Sequence, residues 1–318
     1  MRPMHSDLLS TRRHSRAIRD RRTDQIVAPR RGETVSSTEY VGCNLCGGGT
    51  THYIGTQRGL GIVRCRGCGL VYVNPRPRAE ELTSLYADYH ARDGQGEATW
   101  DRLMSRVFRE SAELLCSTQN TSGRPRLLDV GCGFGGFMDL MRERGWDAEG
   151  VDPSPSVVEA AARKGRTVRL GTLEEFSADH GPYDAATMFY VLEHLPDPMG
   201  ALRKVFDLLV PGGILLIRVP HTTPIFRLLV PLGLGGGLYD PPFHLYDFSP
   251  TVLHEMLRRT GFEGIRTFPG QPTIPARLGP RLASSIFGAI AIRLHAVTRG
   301  TVLLPGVSKS TLARKPSR

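Results

Sequence analysis

The stretch Leu127 to Phe137, reading L-L-D-V-G-C-G-F-G-G-F, constrains the fold of this chain more than any other. A short apolar strand runs directly into glycines and then into a segment with helical spacing. That is the first βα unit of a doubly wound sheet, where a glycine turn lets a nucleotide-like ligand approach the main chain. The theme then repeats. Arg126 to Val130 reads as a strand, followed by a helix ending near Gly145, then a strand at Ala148 to Val151 closed by Asp152. Ser154 and Pro155 have the chemistry of an N-cap and first helical residue, and that helix stops at Gly165. Val168 to Leu170 and Tyr183 to Tyr190 are further strands. Pro196 to Leu209 is a helix with Met199, Leu202, Val205, Phe206 and Leu209 on one face. Pro211-Gly212-Gly213 turns into a strand over Ile214 to Val219, and Ser249-Pro250 opens a helix that Gly261 ends. Alternating strands and helices predict a parallel sheet covered on both faces. There is no internal repeat.

Upstream, Cys43-x-x-Cys46 and Cys65-x-x-Cys68 are separated by eighteen residues. This spacing matches a structural zinc ribbon, in which four thiolates close a tetrahedron and leave no open position for catalysis. Between 79 and 120, Trp100, Leu103, Met104, Val107, Phe108, Ala112 and Leu115 recur at three and four and predict one buried helical stripe. Tyr86, Tyr89 and His90 precede it and suit either a lid or a packing helix.

The net charge of +10 suggests nucleic acid until it is divided along the chain. Residues 1–38 hold nine Arg against Asp7, Asp20, Asp24 and Glu33, and residues 271–318 hold eight Lys or Arg and no acid. Removing these +5 and +8 contributions leaves −3 for the body, which does not support a duplex-binding face there. No apolar run reaches the roughly 18 to 20 residues that span a bilayer, and the N-terminus lacks the apolar core of a signal peptide, so a cytoplasmic protein with reduced cysteines is expected.

Gly131, Gly133 and Gly136 fit a dinucleotide fingerprint, and Asp152 stands where a carboxylate meets ribose hydroxyls, but more than one cofactor has a ribose. The later motifs discriminate. D-V-G-C-G-F-G at 129–135, V-D-P-S at 151–154, G-T-L-E-E-F at 171–176, Y-D-A-A-T-M-F-Y-V-L-E-H-L-P-D-P at 183–198, L-V-P-G-G-I-L-L-I at 209–217 and H-L-Y-D-F-S at 244–249 occur in the order found in class I S-adenosylmethionine-dependent methyltransferases. Over about residues 40–268 the chain resembles that family, in particular the small-molecule branch carrying an N-terminal zinc ribbon. The resemblance implies a Rossmann-like, doubly wound, mostly parallel seven-stranded α/β sheet. It also implies S-adenosylmethionine as cofactor and zinc as a structural metal held by Cys43, Cys46, Cys65 and Cys68. Asp129 with the Gly131, Gly133 and Gly135 backbone would hold the methionine end, Asp152 the ribose, Thr172 and Leu173 the adenine, and Phe189 would line the cleft. Cys132 reads as a small buried residue. T-L-A-R-K-P at 311–316 loosely matches a final strand.

The expected organisation is a disordered basic leader at 1–38, the ribbon at 39–78, a helical lid or linker at 79–120, and the methyltransferase domain at 121–318 with a flap at 221–246 and a helix insertion at about 280–299. That helix, with Ile286, Phe287, Ile290, Leu294 and Val297 at helical spacing and Arg281, Arg293 and Arg299 nearby, suits either packing against the protein or a peripheral membrane contact through 281–299. Methyl transfer from a sulfonium needs alignment and, for a hydroxyl or acidic carbon, a base. His194 and His221, each after a strand, and His244, before the helix that Ser249-Pro250 opens, are the candidates. A small-molecule, sugar or glycan, or secondary-metabolite acceptor is expected; a zinc-ribbon RNA methyltransferase and a non-catalytic binding module are the alternatives.

Overall fold

Five short strands open the chain: β1 (Thr38–Glu39), β2 (Thr51–Gln57), β3 (Leu60–Cys65), β4 (Val71–Val73) and β5 (Arg76–Pro77). The computed structural model that shows them describes residues 37–82, 96–118, 123–177, 180–225, 239–304 and 308–317, all within one compact unit spanning 34–318. Residues 1–36, Tyr86, Tyr89 and His90, and residues 226–238 of the expected flap lie outside them. The turn between β2 and β3 is Arg58-Gly59, both with positive φ (49° and 79°), the backbone twist that a two-residue hairpin requires. β4 pairs antiparallel with β3 on one side and, on the other, with β11 (Tyr246–Asp247), a strand from the distant end of the chain.

The main sheet has seven strands: β6 (Arg126–Val130), β7 (Asp147–Asp152), β8 (Val168–Leu170), β9 (Tyr183–Phe189), β10 (Leu209–Val219), β12 (Glu263–Pro269) and β13 (Lys309–Arg314). Their order is β12-β13-β10-β9-β6-β7-β8. The pairs β6–β7, β6–β9, β7–β8 and β9–β10 are parallel, and β13 is antiparallel to both neighbours. Parallel strands need both faces covered, so their sequences are apolar without alternation. On β6, Leu127 faces one core while Leu128 and Val130 face the other. The loose match at 311–316 does fall on the last strand of the chain, and β13 slots between β10 and β12.

Six helices serve these strands among the described residues: α1 (Glu97–Thr118), α2 (Gly136–Arg142), α3 (Pro155–Ala162), α4 (Pro198–Leu208), α5 (Pro250–Thr260) and α6 (Leu278–Val297). The stripe on α1 is buried as its spacing predicts, with Met104, Val107, Phe108, Ala112 and Leu115 against α2 and the sheet. Ser249 Oγ accepts from Val252 N, and Gly261, at φ 107°, ends α5. The outward face of α6 is different. Leu278, Leu282, Ile286, Phe287, Ile290 and Val297 are all exposed.

The cysteine lobe shares a core with the sheet domain. Cys43, Leu45, Val63, Leu70 and Tyr72 belong to one apolar cluster with Leu202, Leu245, Tyr246, Phe248 and Leu257. Asn44 ties the lobe to α4, since its Oδ1 accepts from Met199 N at 2.9 Å while its Nδ2 donates to Asp197 Oδ1 at 2.7 Å. Arg76 Nη1 donates to Pro196 O at 2.7 Å, and Arg259 Nη1 donates to Leu45 O at 3.1 Å.

Candidate active site

β6, β9 and β10 end on the same edge of the sheet, at the point where strand order reverses, and ligands bind in that crevice in doubly wound folds. The glycine loop leaves β6 there. Gly131 has φ 64°, and a Cβ on it would stand 2.4 Å from Val191 Cγ2. A Cβ on Gly136 would stand 2.3 Å from Asp101 Oδ1 on α1. Gly131, at positive φ against a branched side chain, admits no side chain, and one at Gly136 would displace the Asp101 carboxylate. Arg166 clamps the loop to α1: it donates to Phe134 O, to Glu97 Oε1 at 2.7 Å and to Asp139 Oδ2.

Two buried carboxylates flank the loop. Asp152 accepts from Gly133 N at 2.9 Å and from Ser154 N at 3.0 Å, so the residue expected at the ribose also holds the glycine turn to the end of β7. Asp129 accepts from Thr187 Oγ1 at 2.6 Å. Burial pushes its carboxyl up to about 7; the Thr187 bond opposes the rise and the Asp152 charge adds to it. Thr172 N donates to Glu175 Oε2 at 3.0 Å in a turn that docks through Gly171 N on Asp152 O at 3.1 Å, and Leu173 is buried below it. Gly133 and Gly135 continue the turn with positive φ. Phe189 packs in a cluster with Phe137 and Phe108, ring centroids 4.8 and 5.4 Å away. Cys132 is buried, and burial raises its thiol far above the ordinary range, consistent with an inert residue.

A second group forms where β9 ends. The strand stops at Phe189, one residue earlier than its sequence suggests, because Tyr190 turns to φ 58° and a 3₁₀ turn follows over Leu192–His194. His194 meets His244 edge to face, ring centroids 4.7 Å apart. With Glu193 they form a set whose ligand atoms all lie within 4.8 Å of one another, which can serve proton transfer or hold a divalent cation. His194 Nδ1 contacts Phe243 O at 3.1 Å. A carbonyl only accepts, so Nδ1 carries the proton and Nε2 is the basic nitrogen. Burial, reinforced by His244, holds the His194 pKa well below the ordinary histidine range; burial also lowers that of His244, against Asp240 and Asp247.

Glu193 is 1% exposed, and neither carboxylate oxygen has a hydrogen-bond partner among the described residues. Burial pushes its pKa up to about 8. The structure sets His221 outside the Glu193, His194 and His244 group, buried and lowered to about 4 by burial and by the nearby Lys309. Asp247 and Lys309, whose charges act on Glu193, are neighbours of this group that the sequence does not single out. Asp247 accepts from Thr222 N, Thr223 N and the Thr223 hydroxyl, fixing the start of the loop after β10. Lys309 is fully buried and donates to Pro220 O at 2.7 Å. Asp247 lies three residues from His244 and was within reach of motif reasoning; Lys309, on a strand nearly ninety residues from Pro220, carries no local signal.

In the cysteine lobe, Cys43 and Cys68 sulfurs are 3.3 Å apart, Cys46 and Cys65 sulfurs 3.5 Å, and all four lie within 4.8 Å of one another. A disulfide needs about 2.05 Å, whereas a tetrahedral zinc with bonds of about 2.3 Å sets sulfurs about 3.8 Å apart. Gly47 N and Gly69 N donate to Cys43 O and Cys65 O and close the two turns. The set fits a structural zinc ion.

A strand–glycine-loop–helix unit at a topological switch point, two buried carboxylates beside it and a histidine pair facing the same edge define a Rossmann-like transferase site. Comparison with known proteins agrees. A methyltransferase-domain family model matches residues 92–267, and the chain belongs to the S-adenosylmethionine-dependent methyltransferases. It is 32% identical over 170 residues to a ubiquinone biosynthesis O-methyltransferase of Xanthomonas axonopodis pv. citri, covering 50% of this chain and 71% of that one. A protein of the same name from Saccharophagus degradans is 31% identical over 151 residues, 43% of this chain and 63% of the other. Among solved structures, magnesium protoporphyrin IX methyltransferase from Synechocystis PCC 6803 with bound SAH shares the fold at TM-score 0.50 and 18% identity, covering 75% of this chain and 100% of that one. A putative methyltransferase of Haloferax volcanii, in complex with the Trm112 activator, does so at 0.51 and 16%, covering 74% and 98%.

Proposed function

We propose that the enzyme methylates a hydroxyl of a small-molecule acceptor, with His194 as the base. The observation that carries this reading is the tautomer of His194. With Nδ1 donating to Phe243 O, Nε2 is the unprotonated ring nitrogen, and the ring stands beside His244 at the sheet edge shared with the glycine loop. When bound, S-adenosylmethionine supplies an electrophilic methyl on a sulfonium leaving group. The Gly131–Gly136 turn accommodates its close approach, Asp152 is placed for its ribose, and Asp129 offers a carboxylate to its positive end. Low histidine pKa values keep both rings neutral near pH 7, so the acceptor proton has somewhere to go. The O-methyltransferase names of the relatives are in line with a hydroxyl acceptor. The ribbon cysteines hold zinc in a structural role. The test is a cell extract incubated with methyl-labelled cofactor: a labelled small molecule should appear with the wild-type chain and not with His194→Ala. Label entering RNA instead would overturn the acceptor class.

The exposed face of α6 gives the enzyme a seat on an anionic membrane. Among the described residues, seven of the ten exposed large apolar side chains fall within 278–302, and residues 271–318 hold eight basic residues and no acid. Two copies meeting on this face would bring like charge together, while an anionic lipid surface complements it. No helix among the described residues is long and apolar enough to cross a membrane. Sedimentation with phosphatidylglycerol vesicles should carry the chain down, and Leu282→Ser with Ile286→Ser should abolish this. A concentration-dependent dimer without vesicle binding would sink the membrane reading.

A further inference from the structure

Arg218 ends β10 on the face that packs toward α1, and it is only 1% exposed. A buried guanidinium ordinarily sits against a carboxylate. Among the described residues no carboxylate lies within ion-pair distance of it. Glu110 feels its charge but spends an oxygen on Gln271 N at 2.8 Å. Arg218 instead donates Nε–H to Tyr190 Oη at 2.8 Å, an Nη1–H to Ser310 Oγ at 3.2 Å and an Nη2–H to Gln271 O at 2.6 Å. Of its five N–H donors two are left over, one on each terminal nitrogen.

The donors continue in one direction. Since arginine only donates, the Tyr190 oxygen accepts, and the Tyr190 hydroxyl proton passes to Ser308 Oγ at 2.9 Å. The Ser308 hydroxyl is then left with its own proton to give. Arg218, Gly270, Thr273, Ser284, Phe287 and Ser308 line a cavity of ≈ 360 Å³ between the end of β10 and α6. Gly270 is part of its construction, because a Cβ there would stand 1.9 Å from Arg218 Nη1. Tyr190 adopts its left-handed φ of 58° at the same place, three residues before Glu193.

We infer that this cavity is the acceptor's anion subsite. It takes an oxyanion, a carboxylate or a phosphate carried by the molecule to be methylated, through the remaining Arg218 N–H groups and the Ser308 hydroxyl. A cationic guanidinium polarises the Tyr190 hydroxyl, which strengthens the Ser308 donor in turn. The subsite adjoins the turn that carries His194, since Tyr190, the residue after β9, donates its N–H to Arg218 O at 2.8 Å and the 3₁₀ turn over Leu192–His194 follows it. Calling the bound molecule the acceptor rests on the proposed methyl transfer; the anion site itself does not.

The test is calorimetry of the full chain with inorganic phosphate and with acetate, together with S-adenosylhomocysteine on the same samples. At least one anion should bind saturably. Ser308→Ala and Tyr190→Phe, which keep the buried guanidinium, should weaken it about tenfold, as expected for loss of one charge-assisted bond. Arg218→Gln should abolish binding. Tighter phosphate binding assigns a phosphate-bearing acceptor, and tighter acetate binding a carboxylate-bearing one. Saturable S-adenosylhomocysteine binding with no anion binding, or anion binding unchanged in Ser308→Ala and Tyr190→Phe, overturns the subsite and leaves the methyltransferase reading standing. Failure to bind S-adenosylhomocysteine would instead strike at that reading.

Discussion

The two halves of the proposed active site are built in opposite ways. The proposed cofactor half comes largely from short-range chemistry: Asp129, the glycine turn and Asp152 fall within 24 residues, and Asp152 holds the turn through Gly133 N. The proposed acceptor half is assembled from 193–194, 221–223, 239–247 and 309, and its loop is held by a strand of the cysteine lobe. Val73 N donates to Leu245 O at 2.9 Å, and Leu245 N donates to Glu193 O at 2.9 Å, so the residue after His244 is pinned between the lobe and the 3₁₀ turn. The first half is rigid because its sequence permits only one turn. The second is rigid only while its neighbours are in place.

The largest test of this division is His194→Ala. Loss of a general base costs about 10²- to 10⁴-fold in turnover, and methyl transfer into the extract acceptor should fall by that much while S-adenosylmethionine affinity stays within about twofold. A parallel loss of cofactor affinity would mean that the halves are one unit. Because burial lowers the His194 pKa, the base form persists below the ordinary histidine range, and turnover should not decline on acidification until well below about pH 6.5.

Asp152→Ala probes the other side and should come next in size. It strands two buried N–H groups, each bond to a charged acceptor being worth about 1.5–3 kcal/mol. Cofactor affinity measured by calorimetry should therefore fall about 100-fold or more. An affinity within about threefold of wild type would remove Asp152 from the cradle.

The same division explains what the sequence discloses. The βα order, the glycine turn and the paired cysteines are legible because each rests on residues close together, where periodicity and φ preferences act. Lys309 and Arg218 are not, because strand register brings them together and register is a property of the whole sheet, and the Glu193–His244 meeting is not, because it joins the turn after β9 to a loop about fifty residues on through Leu245 N and Glu193 O. Placing β13 between β10 and β12 delivers Lys309 opposite Val219, next to Pro220. The cysteine lobe's grip on the loop of His244 is of the same kind, since nothing local to Val71–Val73 announces partners at Tyr246 and Asp247.

Zinc removal sharpens that point. Metal analysis should find about one zinc per chain, and chelation should loosen the acceptor half first. Hydrogen exchange of the backbone at 239–247 should speed up about tenfold or more, since its pairing to β4 depends on the cysteine turns. Exchange in Gly131–Asp152 should change little. Equal loss in both would show that the ribbon supports the whole domain and not this loop.

The smallest effect is a pH dependence confined to the cofactor half. Burial raises the Asp129 carboxyl to about 7 in the folded chain, against about 3.9 unfolded. A raised folded pKa means that the folded state binds the proton more tightly, so this contribution is complete below about pH 4 and is lost as pH rises through about 7. The ligand-free chain should lose a few degrees of melting temperature between about pH 5 and pH 8, and Asp129→Asn should flatten that slope. A positively charged cofactor favours the ionised carboxylate, so its affinity should move the other way, rising with pH through the same window and releasing a proton on binding. Calorimetry in two buffers of different ionisation enthalpy reads that proton. If no proton is released near pH 6, Asp129 is already ionised in the free enzyme, and Thr187 and the loop must stabilise the charge more than burial opposes it.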